Sequence, residues 1–139
     1  MKPILAFIKL ALRFCQHHPQ FWLASWIVWF ILLWFLSSGN PVPKELPKIP
    51  HLDKIAHFGF FFGGAGLFCA WLRHNFSQIA PRHALCASTL VGAIVGALDE
   101  YHQSFTPGRC GNDLGDWLAD LSGSLCGAMT MLLILKLAD

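Results

Sequence analysis

Four long apolar stretches alternate with short polar segments along the chain. Each stretch approaches or reaches the roughly 20 apolar residues that an α-helix needs to cross the hydrocarbon core of a bilayer. The pattern predicts transmembrane helices at about 20–38, 54–73, 83–104 and 114–137. The third stretch reaches this length only by including Asp99, Glu100 and His102, which places charge inside or at the edge of the membrane. The predicted fold class is an all-α membrane bundle of four transmembrane helices.

The segment before the first apolar stretch has an amphipathic pattern. Lys2, Lys9 and Arg13 are interspersed among aliphatic and aromatic residues, which favours a helix at 1–18 that lies in the headgroup layer. No small-residue cleavage site follows the first apolar stretch, so this stretch is expected to be retained as a membrane anchor. The whole chain, 1–139, is expected to form one membrane domain.

The composition supports the membrane interpretation and argues against nucleic acid as a partner. Hydrophobic residues make up 55% of the chain and charged residues 13%, and the soluble core of one small domain cannot bury so much apolar surface. The formal charge of +2 comes without any dense basic run, so no nucleic-acid binding is expected. The five cysteines form no CxxC pair and are expected to be buried apolar residues rather than a metal or disulfide site.

Three pairs of glycines have the GxxxG spacing that lets transmembrane helices pack closely. The pairs are Gly59 with Gly63, Gly92 with Gly96, and Gly123 with Gly127. Because one pair lies in each of the last three predicted helices, we expect these helices to pack tightly and the first helix to lie at the edge.

The basic residues of the short loops predict the orientation in the membrane. With a cytoplasmic N-terminus, the inner side holds six of them, Lys2, Lys9, Arg13, Arg73, Arg82 and Lys136, and the outer side holds four, Lys44, Lys48, Lys54 and Arg109. Both termini are therefore expected in the cytoplasm. In this topology seven of the eight acidic residues lie on the outer side, and the exception is Asp139.

The ionisable side chains form three groups near the outer ends of the last three predicted helices. The groups are Asp53, Lys54 and His57; Asp99, Glu100, His102 and Gln103; and Arg109, Asp113, Asp116 and Asp120. Intramembrane charges are costly and usually face a bundle interior, a partner or a wet cavity. We therefore expect the side chains of His57, Glu100, Arg109 and Asp116 to converge on one pocket.

These groups also carry a family resemblance. The run DEYHQSFTPGR at 99–109, followed by DWLAD at 116–120 and by Gly123, is similar to the signature of the VanZ-like family. The segment DKIAH at 53–57 matches the Asp-Lys-x-x-His element of that family. The resemblance covers about residues 50–130. Asp120 departs from the family pattern, because many members have asparagine at this position.

The resemblance implies a multi-pass protein of the bacterial inner membrane with a role in the cell envelope. The founding member of the family is associated with low-level resistance to the glycopeptide teicoplanin. The resemblance does not itself imply a biochemical activity, so the function has to be argued from the polar residues.

Two function classes, and a purely structural alternative, fit the polar residues. In the first, the site binds an anionic lipid head group or a lipid-linked envelope precursor, with candidate contacts at Lys54, Gln103, Arg109, Asp120 and Asp53. Arginine can donate two parallel hydrogen bonds to a phosphate, while lysine adds a point charge. In the structural alternative, the same charges form an ion-pair network that fastens the helices together.

In the second class, the chain is a membrane-embedded hydrolase or transferase acting on a phospholipid or a polyprenyl phosphate. His57 would act as general base, with Glu100 or Asp116 as its orienting partner. No metal site is predicted, since HExxH-type spacing is absent from the sequence. A divalent ion held by His57, Glu100, Asp116 and Asp120 is an open alternative, because carboxylates and imidazole suit such ions.

Overall fold

A computed structural model describes residues 18–39 and 51–138. These residues form four α-helices and no strand: α1 Pro19–Ser37, α2 Leu52–Asn75, α3 Pro81–Gln103 and α4 Leu114–Ala138. The predicted all-α bundle of four helices is confirmed. The predicted interfacial helix at 1–18 lies outside the described residues, apart from His18.

Local sequence explains where the helices begin. Pro19 and Pro81 are the first residues of α1 and α3, where the fixed φ of proline suits a helix and its missing N–H leaves no hydrogen bond unmade. The carboxylate of Asp113 accepts hydrogen bonds from the backbone N–H groups of Gly115, at 2.6 Å, and Asp116, at 3.3 Å. Asp113 is therefore the N-cap of α4, because it satisfies donors that the first helical turn leaves unpaired.

Each of the four helices is long and apolar enough to cross a membrane. Their outward surface is rich in large apolar side chains: Phe35, Leu90 and Leu133 are each at least 60% exposed. Surfaces of this kind are stable in lipid and unstable in water. The chain is therefore a multi-pass membrane protein. Of the cysteines, Cys69 is buried, whereas Cys86, Cys110 and Cys126 are exposed, so the expectation that all are buried is wrong.

Close helix contacts are made at glycines of α3 and α4. A Cβ at Gly123 or Gly127 would collide with the backbone carbonyl oxygen of Phe58 or Phe62 in α2. Likewise, a Cβ at Gly96 would lie 2.7 Å from the Asp120 Oδ2. These glycines therefore let α2 and α3 approach α4, as the GxxxG spacing predicts.

The expectation that the GxxxG glycines make close helix contacts is wrong for α2. A Cβ built at Gly59 or Gly63 meets no atom of the described residues within 4 Å, whereas one at Gly64 would collide with the indole ring of Trp29. The Trp29 Nε1 also donates a hydrogen bond to the Phe60 carbonyl at 2.9 Å. Packing of the Trp29 ring against Gly64 thus holds the first helix against α2.

Candidate functional site

The candidate site residues lie at one end of the bundle, where α1 and α3 end and α2 and α4 begin. Contacts between residues far apart in the chain demonstrate this arrangement. Lys54 of α2 bonds to Asp116 of α4, and Arg109, which follows α3, bonds to the carbonyl of Leu36 in α1. We call this the polar end of the bundle.

Lys54 contacts three carboxylates, of which Asp113 and Asp116 join α2 to the start of α4 and Asp53 belongs to α2 itself. Its Nζ lies 2.8 Å from the Asp116 Oδ1, 3.4 Å from the Asp113 Oδ2 and 3.5 Å from the Asp53 Oδ2. The side chain of Asp116 is only 10% exposed and that of Asp53 is 61% exposed. Asp116 therefore depends most on Lys54, because a carboxylate largely removed from water needs a charged partner.

His57 is bonded to Asp120 inside the bundle. The His57 Nδ1 lies 2.9 Å from the Asp120 Oδ1, and their side chains are 13% and 0% exposed. The second Asp120 oxygen, Oδ2, is buried and has no hydrogen-bond partner among the residues the structure describes. Because Oδ2 is the atom close to Gly96, it faces α3.

Asp99 and Glu100 of α3 are also buried, at 6% and 4% exposure. The Gln103 Nε2 donates to the Asp99 Oδ2 at 2.8 Å, and the backbone N–H of Asp113 donates to the Glu100 Oε2 at 2.7 Å. Ligand-type atoms of His57, Asp99 and Glu100 all lie within 4.8 Å of one another. These three side chains, together with Asp120, form what we call the inner cluster.

Arg109 faces a different part of the polar end. Its Nε and one terminal nitrogen donate to the carbonyl oxygens of Gly39 and Leu36, both at 2.8 Å, and its other terminal nitrogen lies 3.5 Å from the Gln103 Oε1. A cation suits this place because the C-terminal carbonyls of a helix carry partial negative charge. The buried Gln103 thus links Arg109 to Asp99.

The side chains expected to share one pocket therefore divide into three neighbouring sets of contacts. His57 and Glu100 lie in the inner cluster, Asp116 pairs with Lys54, and Arg109 contacts the end of α1. Helical periodicity could not reveal this division, because it assigns side chains to the faces of one helix without saying which helix each face meets.

An apolar groove of about 330 Å³ lies between α1 and α3 at the polar end. Its walls include Phe30, Leu33 and Trp34 of α1 and Leu98 of α3, and its polar lining residues include Asp99 and His102. The His102 ring stacks on Trp34 with the ring centroids 4.0 Å apart, and its Nδ1 lies 3.2 Å from the Ser37 Oγ. The groove was not expected from the sequence, because its two walls are far apart in the chain.

Asp113 also belongs to the polar end, although it was not among the candidate contacts or catalytic residues predicted from the sequence. Its carboxylate caps α4 and lies near Lys54. The hydrogen bonds from the backbone of Gly115 and Asp116 hold the pKa of Asp113 below its usual value, with the charge of Lys54 acting in the same direction. The sequence signal for this helix cap is an aspartate directly before a helical pattern, with a second aspartate three residues later.

Four membrane-spanning helices around a buried polar cluster define a small polytopic membrane protein with ionisable groups inside the bundle. The family model for VanZ/LLP1 matches residues 12–135. The chain therefore belongs to the VanZ/LLP1 family, as the DKIAH and DEYHQSFTPGR segments predicted. Neither the curated proteins nor the solved structures contain a match to the chain.

Proposed function

We propose that this chain is a bacterial inner-membrane protein that binds an anionic lipid head group or a lipid-linked envelope precursor at the outer leaflet. The observation that carries the proposal is the apolar groove between α1 and α3, which lies at the same end of these helices as Arg109. A tail would occupy the groove, and the head group would bind beside it. Binding a lipid-linked precursor is also how the chain would affect susceptibility to glycopeptides.

Arg109 supplies the contact for the head group. A guanidinium has five N–H donors, and the three hydrogen bonds of Arg109 leave two of them for a ligand. The carbonyls of Leu36 in α1 and of Gly39 just after it hold the guanidinium in place, so little conformational entropy is lost when it binds a phosphate. Lys54 and Asp53 are partly exposed at the same end and are further candidate contacts for a polar head group. Asp120 and Gln103 are candidate contacts that are buried deeper in the bundle.

Delipidated protein in mild detergent tests this proposal by native mass spectrometry with added phosphatidylglycerol or phosphatidylcholine. We expect adducts with phosphatidylglycerol, about tenfold weaker binding in Arg109→Ala because a charged hydrogen bond is lost, and an intermediate affinity in Arg109→Lys. Arg82→Ala is the matched control, since it removes an exposed arginine at the opposite end of α3.

A second variant tests the groove without touching the guanidinium. Leu98 lines the groove and is 58% exposed, so Leu98→Trp fills the space with little effect on the core. We expect this variant to bind phosphatidylglycerol more weakly than the wild type. Equal binding by the wild type, Arg109→Ala and Leu98→Trp would contradict the proposal.

The contact between His57 and Asp120 favours a second candidate function, a membrane-embedded hydrolase or transferase acting on a phospholipid or polyprenyl phosphate. An aspartate that accepts from Nδ1 orients the ring and leaves Nε2 to take a proton from an attacking group. In this role Asp120 is the orienting partner of His57, while Glu100 lies beside the ring and Asp116 belongs to the Lys54 pair. We expect the wild type to release the head group from a labelled phospholipid and His57→Gln to release none. Absence of release by the wild type would rule this activity out.

The ion pairs of Lys54 support the structural alternative at the same time. They join α2 to α4 directly, and this role is compatible with either function. It does not account for the groove, whose lining residues are mostly apolar.

A further inference from the structure

The inner cluster contains more buried carboxylates than its neighbours can balance. Asp99, Glu100 and Asp120 are each at most 6% exposed. Lys54, the lysine at the polar end of α2, bonds to a different set of acids, Asp53, Asp113 and Asp116. Buried charges in proteins are normally paired or coordinate metals. Among residues 18–39 and 51–138 no lysine or arginine forms an ion pair with these three acids, so the cluster needs protons or a cation beyond what the described residues supply.

Each of three side chains in the cluster has one polar atom held by a neighbour. The His57 Nδ1 contacts the Asp120 Oδ1, the Asp99 Oδ2 accepts from Gln103, and the Glu100 Oε2 accepts from the backbone of Asp113. This leaves the His57 Nε2, the Asp99 Oδ1 and the Glu100 Oε1 as the atoms that can bind a ligand.

Two buried oxygens point independently to a missing partner. The Glu100 Oε1 and the Asp120 Oδ2 are both shielded from solvent, and neither has a hydrogen-bond partner within 18–39 or 51–138. A buried polar atom without a partner is rare in native proteins and requires an explanation. A bound cation between α2, α3 and α4 provides one, since it satisfies such oxygens by coordination or through a bound water.

The spacing of the three side chains is close to that of a metal site. One ligand atom from each side chain lies within 4.8 Å of the other two, and tetrahedral geometry with bonds of 2.0–2.2 Å places the ligand atoms of one zinc ion about 3.5 Å apart. Side-chain rotations that move the ligand atoms by about 1 Å would bring them to this spacing. The hydrogen bonds to Asp120, to Gln103 and to the backbone of Asp113 resemble the outer contacts that orient metal ligands in known sites.

We propose that His57, Asp99 and Glu100 bind one divalent transition-metal ion, Zn²⁺ or Mn²⁺, with Asp120 orienting the imidazole. One nitrogen and two carboxylate ligands favour these ions over Mg²⁺ and Ca²⁺, which prefer oxygen alone. Three protein ligands leave at least one position open. Since Asp99 also lines the groove, that position is expected to face it. The metal proposal rests on the inner cluster and does not require lipid binding.

Metal content of untagged, chelator-treated protein in detergent tests the proposal. After equilibrium dialysis against Zn²⁺ or Mn²⁺ alone, we expect about one ion per chain for the wild type, and loss of this ion in His57→Gln and Glu100→Gln. Asp120→Asn should bind about 10–100-fold more weakly, because it alters only the orienting contact. Asp53→Asn is the control, since it removes an exposed acid that contacts Lys54 rather than His57, and it should bind as the wild type does.

Folding of each variant is checked by circular dichroism and by size-exclusion elution. If Glu100→Gln does not fold, the electron spin-echo spectrum of Mn²⁺ in the wild type still tests the site, because the spectrum should contain coupling to one histidine nitrogen. Failure of the wild type to bind either ion, equal binding by Glu100→Gln and Asp53→Asn, or a Mn²⁺ spectrum without nitrogen coupling would each overturn the proposal.

Discussion

Glu100, Asp99 and Asp113 at the polar end each have a carboxylate oxygen that accepts a hydrogen bond. The buried Glu100 and Asp99 accept short hydrogen bonds from a backbone N–H and from a side-chain amide. The more exposed Asp113 combines a helix cap with a contact to Lys54. Partners for these oxygens are expected, because an unpaired carboxylate costs more the further it is removed from water. The buried donors orient the acids, while the exposed ion pairs join helices.

The depressed pKa of Asp113 predicts a pH dependence of stability. Because the pKa in the folded protein lies below that in the unfolded chain, the ionised group stabilises the fold above the unfolded value. This contribution should be lost as the pH falls below about 4 and through the lower, folded value. Asp113→Asn keeps a capping side chain but cannot ionise. We expect it to be less stable than the wild type at pH 7.

The measurement is the free energy of unfolding in mixed micelles for both proteins between pH 3 and 7. The difference between them should shrink at the acid end of this range. A difference that is constant with pH would mean that the charge of Asp113 contributes nothing beyond its capping geometry.

At the scale of helices, the rotation of each helix decides which small residues contact a neighbouring helix. Gly59 with Gly63 and Gly123 with Gly127 have the same spacing. Only the second pair faces the backbone of a neighbouring helix, through the carbonyls of Phe58 and Phe62. A GxxxG motif places two small residues on one face, but the rotation of the helix in the bundle determines whether that face meets another helix.

Alanine substitutions at these two pairs test the packing. We expect Gly127→Ala to destabilise the bundle by about 1–3 kcal/mol, because the methyl group forces α2 away from α4. Gly63→Ala should leave stability unchanged or raise it by up to about 1 kcal/mol, since alanine is the better helix former and its Cβ meets open space. Unfolding in mixed micelles compares the two variants directly, and equal losses would refute the contact of α4 with α2.

At the scale of the whole molecule, hydropathy predicts the architecture and leaves the contacts between helices open. Four apolar stretches were enough for the fold class, because a helix in lipid must be long and satisfy its own backbone. The pairing of Lys54 with Asp116 and of His57 with Asp120 joins residues more than 60 positions apart. These pairings depend on the rotation and depth of the helices, which periodicity does not give. Arg109 illustrates the limit, since the carbonyls of Leu36 and Gly39 that it contacts lie at and just after the end of the first helix, outside the segments that carry the family motifs.

The orientation of the molecule determines which lipids the polar end can meet. Helices α1 and α3 end there and α2 and α4 begin there, so one measurement of sidedness places the groove, the inner cluster and Arg109 together. The six-to-four distribution of lysine and arginine predicts cytoplasmic termini and a polar end at the outer leaflet. An inner-leaflet polar end would instead favour a cytoplasmic lipid or precursor as ligand.

Fusions to alkaline phosphatase and to a fluorescent protein test this topology at Asn40, Asn75, Gly111 and the C-terminus. Alkaline phosphatase folds only after export, so activity is expected at Asn40 and Gly111, whereas fluorescence is expected at Asn75 and the C-terminus. Removing two basic residues from the inner side is the matched perturbation. Arg73→Gln with Arg82→Gln brings the count to four on each side, so this double variant should show mixed orientation if the loop charges set the topology. Phosphatase activity at Asn75 and none at Asn40 in the unaltered chain would reverse the orientation and move the proposed lipid site to the cytoplasmic leaflet.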